Sequence, residues 1–158
     1  MKKIGLLFAA LLVPSMSFAD GGNSAKINLV KKLYKTDAQG YAVGGTYSEY
    51  AAPEFKKTIR QASHIIDRIN ERTGELACDY YEHYDMGFGN GDTEIRKLKI
   101  VPLSGNIVQV SFSDGPLMNN LKYDISCAGG RCLINDIVQD GESVRKRYQR
   151  IVSKKRCD

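Results

Sequence analysis

The sequence predicts an α+β fold in which N-terminal helices pack on a curved, antiparallel four-stranded sheet and a short C-terminal helix closes the chain. Up to residue 74, apolar residues recur every three or four positions, which is typical of amphipathic helices. After residue 74 they recur every second position, which is typical of half-buried strands. The connections between the predicted strands are short, which favours an antiparallel meander over parallel crossovers. The 158 residues suffice for one domain.

Two helices are predicted before residue 74. The first covers 24–38, begins at Ser24 and keeps its lysines off an apolar face made of Ile27, Val30, Leu33 and Tyr34. Residues 40–52 are interpreted as an irregular connection. The second helix begins at Pro53 and ends before Gly74, which supplies a left-handed end. Its apolar stripe is Phe55, Ile59, Ala62, Ile66 and Ile69. His64 lies off that stripe, so we expect it to be solvated rather than a ligand.

Four strands follow, and each is flanked by turn residues. They are predicted over 94–101, 106–113, 121–127 and 132–138. The turns between them lie at 104–106, 114–116 and 128–131. Residues 140–143 are predicted to start the closing helix, whose apolar side is Val144, Tyr148, Ile151 and Val152.

Residues 1–19 have the pattern of a signal peptide. Lys2 and Lys3 form a positive head, 4–13 an apolar stretch, and the segment ends in a small-x-small site at Ala19. We therefore predict export to the periplasm of a single domain over 20–158. A retained anchor helix is the alternative, but the apolar stretch is too short for a transmembrane segment. Without the two lysines, 21 basic residues face 18 acidic ones and the net charge falls from +5 to +3.

The four cysteines are predicted to form two disulfides, because their number is even and the expected compartment is oxidising. Three pairings are possible. We favour Cys127–Cys132, since these residues flank a four-residue hairpin loop, and this leaves Cys78–Cys157. A zinc or redox centre is disfavoured because the sequence has no Cys-x-x-Cys and no finger-like histidine spacing. No cofactor is predicted.

Two short motifs near the C-terminus carry a resemblance to a known family. They are Ile134-Asn135-Asp136-Ile137 and Ser143-Val144-Arg145. With the acidic-aromatic segment Asp79-Tyr80-Tyr81 and Asp85, residues 25–152 resemble the NTF2-like superfamily with its cystatin-like cone. More narrowly, they resemble a family of uncharacterised bacterial envelope proteins. The tryptophan often found before the first motif is absent, and Cys132 and Leu133 stand there instead. Some secreted members of such families look like immunity proteins, which neutralise a toxin delivered to the periplasm.

No catalytic residue is predicted. His83 and Asp85 could form a pair in which the Asp85 carboxylate orients the His83 imidazole. The favoured interpretation of this segment is a solvated polar strand edge. The sequence contains neither a Gly-x-Ser-x-Gly elbow nor a phosphate-binding loop. Residues 85–92 are similar in composition to a calcium loop, but they lack alternating acidic ligands and a terminal glutamate. No metal site is therefore predicted.

A partner-binding surface is predicted where acidic and aromatic residues surround glycines. Its residues are Tyr80, Tyr81, Tyr84, Asp85, Phe88, Asp92 and Glu94. Residues 67–94 hold eight acidic residues against two arginines, which would suit a cationic partner. Residues 145–156 hold seven basic residues and no acid, and we interpret them as a solvated helix face. A nucleic acid partner is not expected for an exported protein of charge +3.

These observations predict an exported, non-enzymatic protein-binding domain that acts as an inhibitor or immunity protein. The alternative is a small-ligand carrier or enzyme that uses the cavity of the cone. An open pocket would favour the alternative, whereas a cavity filled by Phe112, Tyr123 and Ile137 would count against it. The sequence leaves the oligomeric state open.

Overall fold

A computed structural model of the chain describes residues 19–74 and 94–157. Within them the chain forms one antiparallel sheet of strand order β1-β2-β3-β4-β5, three α-helices and a 3-10 helix. The bounds are α1 Ala19–Leu33, the 3-10 helix Tyr47–Tyr50, α2 Pro53–Thr73, β1 Arg96–Pro102, β2 Ile107–Asp114, β3 Leu117–Ala128, β4 Arg131–Gln139, β5 Glu142–Ser143 and α3 Val144–Lys154. The predicted α+β class and antiparallel meander are confirmed. Residues 1–18, which hold most of the predicted signal peptide, lie outside the described residues.

The prediction of four strands was wrong, because a two-residue strand precedes α3. Glu142 pairs with Gln139 across a loop made of Asp140 and Gly141. Both loop residues have positive φ, 51° and 81°, as a type I′ hairpin turn requires, and Asp-Gly is a favoured sequence for it. Residues 140–143 therefore belong to a hairpin rather than to the helix.

Two other hairpins are also tighter than predicted. Gly129 and Gly130, with φ of 56° and 77°, form a two-residue loop between β3 and β4, and not the expected four-residue loop. Gly115 and Pro116 connect β2 to β3, which places Leu117 opposite Asp114. As a result β3 begins four residues earlier than its alternating pattern indicated.

The first helix was predicted to end too late. It ends at Leu33, and the chain then folds into a tight turn in which the N–H of Val43 donates to the carbonyl of Lys35 at 2.8 Å. The Asp37 carboxylate accepts hydrogen bonds from the N–H groups of Gln39 and Tyr41, both at 2.9 Å. An aspartate that bonds to nearby backbone in this way competes with helix formation, which explains the early end.

The buried face of α1 also differs from the prediction. Leu29, Val30 and Leu33 are buried, whereas Ile27 is only half-buried. Lys26 was expected to point away from the core but is buried. Its ammonium donates to the Gly105 carbonyl at 2.9 Å and to the Asn106 side chain at 3.2 Å. The lysine thus ties α1 to the turn between β1 and β2.

The core lies between the sheet and the helices. Helix α1 contacts β1, β3 and β4, while α2 and α3 pack on each other and on β4. Two buried pairs of tyrosine hydroxyls join the layers, Tyr34 with Tyr123 at 2.9 Å and Tyr47 with Tyr148 at 3.1 Å. The inner face of the sheet is filled by side chains that are at most 4% exposed, among them Phe112, Tyr123 and Ile137.

The second helix agrees with its prediction. It runs from Pro53 to Thr73, and Gly74 has the left-handed φ of 68°. Four of the five predicted stripe residues are buried, and Ile69 is half-buried against the same core. His64 is exposed, as expected. None of the described helices is long and apolar enough to cross a membrane.

The two motifs behind the family resemblance meet at the start of α3. One oxygen of Asp136 accepts hydrogen bonds from the N–H groups of Ile137 at 2.8 Å and Arg145 at 3.0 Å. Its other oxygen accepts from the Ser143 hydroxyl at 2.6 Å. Ser143 in turn caps α3 by accepting from the N–H of Lys146. In this chain the motifs therefore hold the start of a helix in place.

The basic C-terminal run is only partly a solvated helix face. Arg147 is 4% exposed and donates from Nη2 to Oε2 of Glu142 at 2.6 Å. Arg150 pairs with the other oxygen of the same carboxylate. These two hydrogen bonds lower the pKa of Glu142 below its ordinary value, and the bond from Arg147 has the larger effect.

We expect the Glu142→Gln variant to be less stable than wild type only where Glu142 is ionised. A carboxyl group whose pKa is lower in the folded state stabilises the protein above its unfolded pKa and loses that contribution as the pH falls through its folded pKa. Urea midpoints of the two proteins should therefore differ at pH 6 and converge as the pH falls below the ordinary glutamate range. An unchanged difference at low pH would contradict this assignment. Glu71→Gln, on the exposed face of α2, serves as the control.

Candidate interaction surface

Glu94 is the only residue of the predicted partner-binding surface that the structure describes. The other six, Tyr80, Tyr81, Tyr84, Asp85, Phe88 and Asp92, lie outside the described residues, as do His83 and the segment 85–92. The predicted surface can therefore be placed only where it reaches β1.

Glu94 precedes β1 and lies between two neighbouring segments. On one side it pairs with Tyr41 through a β-bridge. On the other side its N–H donates to the Asp114 carboxylate at 3.2 Å. Its own carboxylate accepts a hydrogen bond from Arg96. Glu94 thus connects the turn after α1 to the hairpin between β2 and β3.

Exposed apolar side chains are concentrated along β1 and at the start of β3. Among the described residues, seven large hydrophobic side chains are exposed. Leu98, Val101 and Leu103 lie in β1 or directly after it, Tyr41 and Val43 lie in the segment that bridges to Glu94, and Leu117 and Met118 lie at the start of β3. Leu117 and Met118 are the most exposed, at 66% and 61%. A cluster of this kind commonly marks an interaction site.

We define the end patch as Tyr41, Glu94, Arg96, Leu117 and Met118. The strand register joins its members. Arg96 pairs with Ser113, which pairs with Met118 on the next strand. Leu117 lies opposite Asp114, the residue that accepts from Glu94. Residues opposite each other on neighbouring strands share a face of the sheet and lie about 5 Å apart. Tyr41, Glu94, Arg96 and Met118 therefore lie on one face of the sheet. Leu117 points to the other face and joins them at the end of the β2–β3 hairpin, directly beside Met118 in the chain.

The end patch is not acidic. The hydrogen bond and charge of Glu94 raise the pKa of Arg96, with a smaller contribution from Tyr41. The negative charge of the Glu94 carboxylate is therefore balanced by the Arg96 guanidinium. The charged residues of β1, which are Arg96, Lys97 and Lys99, are all basic. The attraction for a cationic partner that the sequence predicts is consequently not located at Glu94.

The β1 edge beside the patch is poorly suited to pairing with another strand. Lys97 and Leu98 together lie opposite Phe112 in a bulge, and Lys97 has a φ of 54°. The N–H of Leu103 donates to Ile107, so by alternation the backbone groups of Ile100 and Pro102 face outward. Proline has no N–H to donate. Bulges, lysines and proline all protect sheet edges from pairing, so a partner would contact side chains rather than extend the sheet.

The structure tests one of the two predicted disulfides directly. The Cys127–Cys132 disulfide is confirmed, with a Cα–Cα distance of 4.0 Å. Cys157 is disulfide-bonded as well, while Cys78, its predicted partner, lies outside the described residues.

In the part of the chain that is described, no group of three or more metal-ligating side chains is found. The filled inner face counts against a ligand cavity there.

The comparisons with known proteins give no relatives for this chain. No protein-family model matches it, and neither a curated protein nor a solved structure matches it. The resemblance in short motifs is therefore neither supported nor contradicted by them.

Sequence reasoning missed Tyr41, Leu117 and Met118 as surface residues. Tyr41 lies in the segment interpreted as an irregular connection. Leu117 and Met118 lie between the predicted turn at 114–116 and the third predicted strand, which was expected to begin at residue 121. One available signal was the Gly-Pro pair at 115–116, because a two-residue turn makes the apolar residues after it part of the next strand.

Proposed function

We propose that this chain is a non-enzymatic protein-binding domain of the bacterial envelope that inhibits a toxin or effector delivered to the periplasm. The end patch is the observation that supports this proposal most. It combines exposed apolar side chains with a tyrosine and an arginine, which are the residue types enriched in the energetic centres of protein interfaces.

The chemistry of the patch fits a protein partner better than a small molecule. Leu117 and Met118 follow a tight turn and are the most exposed large apolar side chains among the described residues, whereas small-molecule sites are concave and bury most of the ligand. The paired charges of Glu94 and Arg96 would form a polar rim, with hydrogen bonds already partly satisfied before binding. Glu94 also continues in sequence into the predicted acidic-aromatic surface, so the two would form one larger interface.

Export and disulfide bonding support the same proposal. The pattern of residues 1–19 predicts delivery to the periplasm, and the three described disulfide-bonded cysteines, Cys127, Cys132 and Cys157, suit an oxidising compartment. We further propose that the α+β arrangement is an NTF2-like cone. A long helix lies against an antiparallel meander whose register shifts in β1 and between Asp124 and Ile125, and bulges of this kind bend a sheet.

The double variant Leu117→Asp/Met118→Asp tests the surface. Both side chains are exposed, so the fold should be retained, while a buried interface would have to accommodate two unpaired charges. We expect recovery of a partner from envelope extract, or binding of a toxin encoded by an adjacent gene, to fall at least tenfold. Leu103→Asp introduces a charge at an exposed apolar position at the far end of β1 from Arg96 and should bind as wild type does. A partner that binds all three proteins equally would refute the end patch as the interface.

A further inference from the structure

A cleft of about 470 Å³ lies between α1, the 3-10 helix and the β3–β4 hairpin. The residues that matter for its chemistry are Leu29, Lys32, Glu49, Tyr50, Arg131 and Leu133. The volume is within the range of about 300–1,000 Å³ that is usual for ligand sites. The cleft and the end patch lie at opposite ends of β3, so they are separate surfaces.

The cleft combines an apolar base with charges of both signs. Leu29 is buried at its base, and the half-buried ring of Tyr50 packs against the core. Lys32 and Arg131 supply two cations from facing walls, and Glu49 supplies a carboxylate. None of these three charged side chains belongs to an ion pair found within the described residues. Their charges are thus available to a ligand.

Both walls are held in place before any ligand binds. The hairpin wall is closed by the Gly129-Gly130 turn and by the disulfide between the directly opposed Cys127 and Cys132. The wall of the 3-10 helix is tied to β4, since the N–H of Ala52 donates to the Ile134 carbonyl at 2.7 Å. A preformed site loses less conformational entropy on binding than a mobile one.

We propose that this cleft binds amino acids or short peptides that carry a free ammonium group, a free carboxylate and an apolar side chain. Arg131 and Lys32 would bind the carboxylate, Glu49 the ammonium group, and Leu29, Leu133 and Tyr50 the apolar side chain. A ligand of one charge would leave one of these groups without a partner. This small-molecule site is additional to the protein-binding function proposed above and does not depend on it.

An NMR titration with the dipeptide L-alanyl-L-phenylalanine tests the proposal. Backbone amide shifts should change at 130–133 and in the facing residues of α1 and the 3-10 helix. Two analogues test the charges separately: N-acetylation removes the ammonium group and C-amidation removes the carboxylate. We expect each analogue to bind at least tenfold more weakly, because each loses a charge-assisted contact.

Variants of the protein test the same contacts from the other side. Arg131→Gln should weaken the dipeptide at least tenfold while affecting the C-amidated analogue much less, and Glu49→Gln should do the converse with the N-acetylated analogue. Lys99→Gln, an exposed cation on β1, is the matched control. The substituted residues are all exposed, so the variants should fold, which circular dichroism verifies.

Three results would overturn the proposal: shifts that map outside the cleft, variants that bind as wild type does, or an N-acetylated analogue that binds as tightly as the dipeptide. The last would mean that the cleft recognises the carboxyl terminus of a polypeptide rather than a free dipeptide. The variant Leu117→Asp/Met118→Asp should bind the dipeptide unchanged, which separates this outcome from failure of the end patch.

Discussion

The Gly44→Ala variant is expected to lose about 2–4 kcal/mol of folding free energy, and position 44 has the closest backbone contact for an added Cβ among the described glycines. A Cβ atom at position 44 would lie 1.8 Å from the carbonyl oxygen of Leu33 and 2.8 Å from that of Lys32. Both contacts are with backbone at the end of α1, which cannot rotate away as a side chain can. The chain would have to move off the helix and break the turn between 35 and 43.

Gly22→Ala is the matched control for this prediction. Gly22 lies in α1, and an added Cβ would have no neighbour within 4 Å. Alanine should leave the free energy of unfolding within about 0.5 kcal/mol of wild type, because Gly22 lies in the first turn of α1, where the added methyl group meets no other atom. Urea denaturation of both variants measures the difference. A Gly44→Ala protein as stable as wild type would show that the close contact at Leu33 does not exist in solution.

The Asp136→Ala variant is expected to lose about 2–4 kcal/mol. The substitution removes the acceptor of three hydrogen bonds, two of them from backbone N–H groups at Ile137 and Arg145. Hydrogen bonds to charged groups contribute about 1.5–3 kcal/mol each, and part of the loss is recovered when water reaches the half-buried site. Asp136→Asn retains one oxygen acceptor and should lose clearly less.

Two other variants calibrate that measurement. Ser143→Ala removes the cap of α3 and should cost about 1 kcal/mol. Asp67→Ala, on the exposed face of α2, should lie within about 0.5 kcal/mol of wild type. If Asp136→Ala were no more destabilising than Asp67→Ala, the carboxylate would not hold the start of α3, and a role in binding would become the better explanation of the motif.

The elements that could be predicted from sequence are those in which the local pattern and the tertiary contacts agree. Helix α2 has a sustained apolar stripe, proline at its first position and glycine after its end, and its bounds are correct. The end of α1 could not be predicted, because it is determined by the turn around Asp37 and by the contact with Gly44. The fifth strand was missed because two residues are too few to show a period.

The surface was harder to predict than the core. Glu94 was identified from its acidic and aromatic neighbours in sequence, but Tyr41 and Met118 reach it only through strand pairing, which a linear pattern does not show. The pairing of Glu94 with Arg96 changes the charge of the surface for the same reason. Lys26 illustrates the general difficulty, since a lysine is expected in solvent until the structure shows a carbonyl and an amide oxygen within its reach.

The distribution of contacts along the chain has a consequence for folding. Each strand pairs with its neighbour in sequence across a short turn, so the sheet requires few long loops to close and should form early. The helices instead depend on distant residues, because Tyr34 meets Tyr123 after 89 residues and Tyr47 meets Tyr148 after 101. During synthesis or translocation from the N-terminus, the first half of the chain therefore has no completed core to join until the last half has emerged.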